Sequence, residues 1–395
     1  MKPLVKQSPG TNSDREIDRV LGSYSKDISG PTLVCICGMH GNEPSGVKAF
    51  QHVFDRITDE NPPFKGSVIG LVGNIPAISK GKRFINMDLN RAWTADRIEN
   101  ILKDSNQEET VETREQKDLM VEINRIIHNK SGPVYFIDLH TTSSQSQPFI
   151  SINDTLRNRK FAMKYPLPII LGIEEHLEGT LLSYINELGH IALGFEAGQH
   201  DDPAAIINHE AIIWLMLSFC GCLSNNNDIN VRSSYDILAQ NINHRKKVFE
   251  IRHRQAVAIN EKFRMNSGYT NFQPIKRNEV LASNISGDIK AKEQGEIFMP
   301  LYQAQGDDGF FIIRQIKRFW LTVSEVLRKT RFHRFLHLLP GVGMYRGLKH
   351  TLVVNTNIAR WYVIEFFHLM GFRKKRRESG LMIFTKRVYD VDEPD

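Results

Sequence analysis

The sequence predicts an α/β fold, a mixed, largely parallel sheet with helices on both faces, plus a small β-rich second domain and a helical C-terminal extension. Three observations lead there. Short apolar runs bounded by Gly and Pro recur at Leu33 to Cys37, Ser67 to Val72, Val134 to Leu139, Leu167 to Ile173 and Ile191 to Phe195, with helix-period segments between them. Runs of that kind suit strands buried on both faces of a parallel sheet. Beyond Asn225-Asn226-Asn227-Asp228 the texture changes to short, β-branched segments interrupted by Gly, Pro and Asn. Charge is also lopsided: residues 311–395 hold 17 Lys and Arg against 7 Asp and Glu, or +10, so the net +6 of the chain leaves −4 for the rest. These shifts divide the chain into an N-terminal arm at 1–29, an α/β domain at 30–224, a β-rich domain at 225–315, and a basic extension at 316–395.

The arm is polar, with an amphipathic piece at Arg15 to Leu21 expected to add a short helix. It lacks the apolar core of a signal peptide, and no window of the chain approaches eighteen uninterrupted apolar residues, so a cytoplasmic protein is expected. Glu43 to Ile57 reads as a helix opened by Pro44, and Lys80 to Asn90 as a loop. Leu119, Met120, Ile123, Ile126 and Ile127 recur at helical spacing within Glu108 to Lys130. Thr180 to Leu188 is a further helix, and Asp201-Asp202-Pro203 opens a long apolar one reaching Phe219.

Val248 to Ile259, Ala282 to Ile289 and Glu296 to Pro300 supply the β-rich segments. In the extension, Asn357 to Met370 has helical spacing and stops near Gly371, and Leu381 to Val388 alternates like a strand. The basic run Arg373 to Arg377 reads as a solvated turn beside that helix, with nucleic-acid or anionic-membrane contact as the less favoured alternative. Cys35 with Cys37 and Cys220 with Cys222 are expected to be buried reduced thiols, as fits a strand interior and a helix end.

The chemistry gathers where strands end. His40 and Glu43 follow the Leu33 strand in Gly38-Met39-His40-Gly41-Asn42-Glu43-Pro44-Ser45-Gly46, and His140 follows the Val134 strand in Asp138-Leu139-His140-Thr141-Thr142. Carboxyl ends of strands are where open α/β sheets bind ligands. Two imidazoles and a carboxylate suit a catalytic zinc, which takes three protein ligands and keeps a position open. A His-x-x-Glu pair alone is weak evidence. Glu196 ends the Ile191 strand and offers a carboxylate able to move a proton, while Arg83, Asn90 and Arg91 offer a charged fork, an amide and a second fork for a carboxylate.

Taken in order, HGNEPSG, RFINMDLNR, DLHTTSS and GFEAGQ resemble the succinylglutamate desuccinylase and aspartoacylase family, relatives of the zinc carboxypeptidases, over roughly residues 30–315. The resemblance implies one zinc per chain on His40, Glu43 and His140, with Glu196 as general base and acid and Arg83 holding the oxyanion. It further implies that Asn90 and Arg91 grip the substrate carboxylate, that Tyr302 reaches the site from the second domain, and that the substrate is a small N-acyl amino acid. A zinc carboxypeptidase acting on short peptides, or a metal-bearing binding protein using its basic tail, are the alternatives. One departure concerns the acyl group. Gly172 to Phe195 contains no Lys or Arg to match the cation that binds the second carboxylate in aspartoacylase, and it does contain Glu174, Glu175, Glu178 and Glu187. A substrate with a neutral side chain or an unusual acyl group is therefore expected, unless a residue of the second domain such as Arg277 or Arg314 replaces the missing cation.

Overall fold

The structure is a computed structural model that describes residues 4–7, 17–103, 109–223, 229–240, 242–258, 260–330, 332–345, 350–355, 358, 363–378, 381–387 and 389–391. Its first nine strands are β1 (Leu4–Gln7), β2 (Val20–Ser25), β3 (Thr32–Cys37), β4 (Ser67–Val72), β5 (Val134–Thr142), β6 (Phe149–Ile152), β7 (Ile169–Leu171), β8 (Ile191–Gln199) and β9 (Val248–Ala256). The next six are β10 (Arg264–Met265), β11 (Gln273–Ile275), β12 (Val280–Asn284), β13 (Gly287–Lys290), β14 (Gly295–Phe298) and β15 (Asp308–Ile316). Twelve of these form one sheet in the order β1-β2-β4-β3-β5-β8-β6-β7-β9-β15-β14-β11. At its centre β3, β4, β5 and β8 run parallel.

All six residues of β3 are buried, and alternation explains how both faces are used. Leu33, Cys35 and Cys37 pack with Phe50, Val53 and Ile57 of the helix Ser45–Glu60, while Val34 and Ile36 pack with Leu119 and Ile123 of the helix Val111–His128. Ala204–Cys220 is apolar on nearly every side because it is sandwiched between Ser45–Glu60 and the helix Ile229–Ala239. The four cysteines are buried and free, as expected.

The amphipathic piece ending at Leu21 is not a helix where it is described. Val20–Ser25 is an antiparallel strand on β4, burying Leu21 and Tyr24 and covering an edge that would otherwise present open backbone groups; residues 8–16 lie outside the described residues. The β-rich segment continues the main sheet, because β9 pairs with β7 on one side and β15 on the other. Among the described strands of this segment, β10, β12 and β13 form a separate small sheet.

The extension contains the helices Arg318–Lys329 and Val363–Leu369 and also a four-stranded antiparallel sheet. That sheet is made of β16 (Val342–Met344), β17 (Thr351–Asn355), β18 (Phe372–Glu378) and β19 (Leu381–Lys386) in the order β16-β17-β19-β18. The basic run Arg373 to Arg377 is thus part of a strand rather than a turn, with ladder partners in β19 overriding its low strand propensity. Of the helix expected from Asn357, Val363–Leu369 is observed, and 356–357 and 359–362 lie outside the described residues.

Arg328 and Arg387 dock this extension on the body. Arg328 donates to Asp154 Oδ2 at 2.8 Å and to Asp390 Oδ1 at 3.1 Å, and Arg387 donates to Glu174 Oε1 at 2.9 Å and Glu175 Oε1 at 2.7 Å.

Candidate metal centre

His40, Glu43 and His140 converge because β3 and β5 are adjacent and parallel, so the turns leaving their carboxyl ends meet. Gly38 turns the chain out of β3 with a left-handed φ of 63°, and Gly41 lets the turn lie against Ala77, where a Cβ would stand 2.0 Å from the Ala77 carbonyl carbon. Glu43 sits between the two imidazoles, with Oε1 2.9 Å from His40 Nδ1 and Oε2 3.0 Å from His140 Nδ1. The backbone N–H of Thr141 also donates to Oε2, at 3.0 Å. All three side chains are buried, and one potential ligand atom from each lies within 4.8 Å of the others.

Burial opposes ionisation of Glu43, yet His40 and His140 hold its carboxyl well below the usual range. Burial likewise works against a charged His140, and the nearby Asp138 and Glu43 carboxylates raise its pKa well above the usual value. A dense set of two imidazoles and a carboxylate, mutually neutralising in a buried site, fits a divalent cation that accepts nitrogen and oxygen ligands.

Around this cluster stands a second ring of side chains. Asp88 accepts from His40 Nε2 at 3.1 Å and from Arg83 at 3.0 Å, while a second nitrogen of Arg83 lies 3.5 Å from Glu43 Oε1. Asp138 Oδ2 is 2.8 Å from His140 Nε2, an ion-pair distance without hydrogen-bond alignment. His209 Nε2 donates to the His140 carbonyl at 3.1 Å, fixing the end of β5 from the helix Ala204–Cys220.

Parallel pairing of β5 and β8 places Glu196 directly opposite His140. Its Oε2 is buried and has no hydrogen-bond partner. Burial pushes the Glu196 carboxyl up to about 8, with His140 acting against this and Glu43 adding to it. An added cation at the cluster would favour the ionised form.

The other expected residues distribute unevenly. Asn90 comes in, with Nδ2 3.4 Å from His140 Nε2 and Oδ1 accepting from the Leu181 N–H at 2.9 Å. Arg91 lies one step out, donating to Asp308 Oδ2 at 2.8 Å, and Arg254 binds the other oxygen of Asp308. Tyr302 is not brought to the cluster, because its hydroxyl donates to the Asn266 carbonyl at 2.7 Å and accepts from the Tyr269 N–H at 3.0 Å. The neighbouring Gln303 takes the rim position, with Oε1 3.0 Å from Asn42 Nδ2 and 3.1 Å from His200 Nε2.

Arg314 pairs with Glu250 at 2.6 Å, so among the described residues Arg254 is the cation of the β-rich strands that meets Arg91's partner. Glu174 and Glu175 bind Arg387, and Glu187 binds Arg373. Those three acids are held by the extension, while Glu178, the fourth acid of the expectation, is exposed, and no Lys or Arg lies between Gly172 and Phe195.

Sequence reasoning passed over Glu112. Buried at the start of the helix Val111–His128, it accepts from the backbone N–H groups of Ile85, Asn86 and Met87 at 2.7, 3.0 and 3.3 Å. It therefore shapes the loop that carries Asp88 and Asn90. Its only signal was an acid in the first turn of an amphipathic helix, which ordinarily means favourable placement at the helix N-terminus.

Residues 29–207 match the family model of the Succinylglutamate desuccinylase/Aspartoacylase catalytic domain. Over 61 residues the chain is 39% identical to a succinylglutamate desuccinylase from Shewanella pealeana, a match covering 15% of this chain and only 18% of that protein's length. Similar solved structures include a succinylglutamate desuccinylase/aspartoacylase from Rhodobacter sphaeroides, with TM-score 0.55, 15% identity, and coverage of 75% of this chain and 88% of the other. A succinylglutamate desuccinylase from Vibrio cholerae gives 0.53 at 16% identity, covering 75% and 85%. A product-bound ectoine utilization protein from Ruegeria pomeroyi gives 0.54 at 15% identity, covering 74% and 88%. At such identities the structural likeness concerns the fold.

Proposed function

From the match of residues 29–207 to the succinylglutamate desuccinylase/aspartoacylase catalytic domain, we propose that this chain is a zinc-dependent hydrolase cleaving the amide bond of an N-acyl amino acid. The observation that carries the reading is the unpartnered Glu196 Oε2 buried directly opposite His140, beside two imidazoles and a carboxylate able to hold a cation. Zinc held by His40, Glu43 and His140 would supply Lewis acidity, polarising the acyl carbonyl and making water a better nucleophile near neutral pH.

The chain's own residues account for the rest. Glu196 Oε2 takes a proton from the attacking water and later gives it to the amide nitrogen, so the acyl carbon gains the hydroxyl as its bond to nitrogen breaks. The buried Oε2, with no hydrogen-bond partner, suits that task, because an oxygen already accepting from a cation would be a poor base. Arg83, held by Asp88, aims a fixed guanidinium at the cluster and stabilises charge developing on the carbonyl oxygen. Asp88 orients the outer face of the His40 imidazole by a hydrogen bond, and Asp138 places negative charge beside that of His140. Arg91 and Arg254 share a single carboxylate, Asp308, leaving an excess positive charge to receive the carboxylate of the amino-acid half, with Asn90 as a neutral donor beside it.

The test is metal analysis of the purified chain together with amine release from a panel of N-acetyl, N-succinyl and longer N-acyl amino acids. About one zinc per chain and chelator-sensitive turnover are expected. Full metal occupancy after replacing His40, Glu43 and His140 each by Ala would refute the ligand assignment, and cleavage of short peptides alone would shift the reading to a carboxypeptidase.

A further inference from the structure

The extension turns apolar side chains outward in a way that neither its own core nor the catalytic site uses. Along Arg318–Lys329 the inward face carries Ser324 and Arg328, both buried, with Leu321 and Leu327 packed on neighbouring cores. Phe319 and Val326, seven residues apart and thus on one helical face, are 66% and 54% exposed, and Trp320 beside Phe319 is 48% exposed. The 3-10 turn Phe332–Leu338 follows three residues later. Its Phe332, Phe335 and Leu338 recur every third residue and therefore share a face, at 47%, 59% and 70% exposed. Only Leu336 of that turn is buried, in the small core of the extension. Isolated exposed apolar residues need no explanation, but two successive elements presenting aromatic and aliphatic faces do.

Charge identifies what would cover them. Apart from Arg328, which is buried against Asp154 and Asp390, residues 317–338 hold Lys317, Arg318, Lys329, Arg331 and Arg334 against one acid, Glu325, and that acid is paired with Lys329 at 2.5 Å. Lys317, Arg318, Lys329 and Arg334 are exposed around the apolar faces. A second copy of the chain would bring like charge against like charge. A nucleic acid would match the charge but has no use for exposed aliphatic groups such as Val326 and Leu338. An anionic lipid surface fits both features, taking aromatic and aliphatic groups into the acyl boundary while the basic residues face the headgroups. No helix among the described residues is long and apolar enough to cross a membrane.

We propose that the outward faces of Arg318–Lys329 and Phe332–Leu338 in the extension are a peripheral docking surface for anionic membranes. This is independent of the hydrolase reading. The experiment is co-sedimentation of the full chain with vesicles of phosphatidylcholine alone and of phosphatidylcholine containing about a third phosphatidylserine, at low and high salt. Binding to the anionic vesicles is expected, weakening as salt rises. Phe335→Ser with Leu338→Ser should weaken it at least tenfold, and removal of the Lys317 or Arg334 charge by Ala about fivefold each. All four positions are exposed, and an unchanged thermal melt would show that the fold is kept. Equal binding to both vesicle types, no binding to either, insensitivity to the Phe335 and Leu338 changes, or burial of the surface in a dimer by light scattering would each overturn the proposal. Tighter binding to single-stranded DNA than to anionic vesicles would assign the surface to nucleic acid instead and would overturn it equally.

Discussion

Replacing Arg328 by Met tests whether the extension is locked to the body by buried charge. Arg328 is 2% exposed and donates five hydrogen bonds, two to carboxylates, one to the Asp154 carbonyl at 2.8 Å, and two to the His368 and Leu369 carbonyls at 2.7 and 3.3 Å. Removing one member of a buried ion pair typically costs about 3 to 5 kcal/mol, because the remaining charge is stranded. Here the stranding is partial. Asp154 keeps Arg159, Asp390 Oδ1 keeps the Leu156 N–H, the His368 carbonyl keeps the Gly371 N–H, and the Leu369 carbonyl keeps the Ser324 hydroxyl. The lower end, about 3 kcal/mol, is therefore expected. Against a typical total of about 5 to 15 kcal/mol that is a large share. Urea denaturation by circular dichroism measures it, and hydrogen exchange in β18 and β19 shows whether the extension opens first. Arg328→Lys should recover only part of the loss, since a point charge cannot replace the planar fork. A change below about 1 kcal/mol, the range of an exposed pair, would refute the buried lock.

Three further outcomes follow from the same geometry. Glu196→Gln should retain metal while turnover falls by about a hundredfold or more, as expected when general acid–base catalysis is removed, and parent-like rates would assign the base elsewhere. N-acetylaspartate should be a poor substrate beside N-acyl amino acids with neutral side chains, because Gly172 to Phe195 supplies no cation for a second carboxylate; efficient release of aspartate would refute this. The Asp154 lock should also have an acid signature. Burial opposes its ionisation, but Arg159, Arg328 and Arg387 hold its carboxyl well below the usual value, so the stability it contributes is present above the unfolded carboxylate pKa of about 4 and lost as pH falls through the lower folded value. The stability gap between the parent and Asp154→Asn should accordingly stay level from pH 7 to about 4 and shrink below it, and a gap that widens under acid would show the sign to be wrong.

How far such a site is legible in sequence depends on whether a residue's role is set locally or by what crosses the fold. The convergence of His40, Glu43, His140 and Glu196 was readable because each follows a short apolar run, and a parallel sheet brings the ends of such runs together whatever the loops between them do. Tyr302 and Gln303 show the opposite case. They are adjacent in a loop without period, and only the contacts of Tyr302 with Asn266 and of Gln303 with His200 decide which one faces the cluster.

Charge proved harder still to read in one dimension. Glu174, Glu175 and Glu187 looked like a negative wall beside the substrate, yet Arg387 and Arg373, some two hundred residues later, turn them into anchors for the extension. The consequence reaches the site. The segment that Arg387 holds at Glu174 and Glu175 runs on to Gly179, whose carbonyl accepts from the Trp93 N–H at 2.9 Å, and to Leu181, whose N–H donates to Asn90 Oδ1. Gly179 lies so close that a Cβ would stand 2.3 Å from the Arg91 carbonyl oxygen. Among the described residues the extension supplies none of the three side chains that could hold a metal, yet the chain it grips is the chain that packs on Asn90 and Arg91. A loosened lock should therefore appear as weaker binding of the carboxylate-bearing substrate before any loss of metal, since His40, Glu43 and His140 rest on β3 and β5, away from that segment.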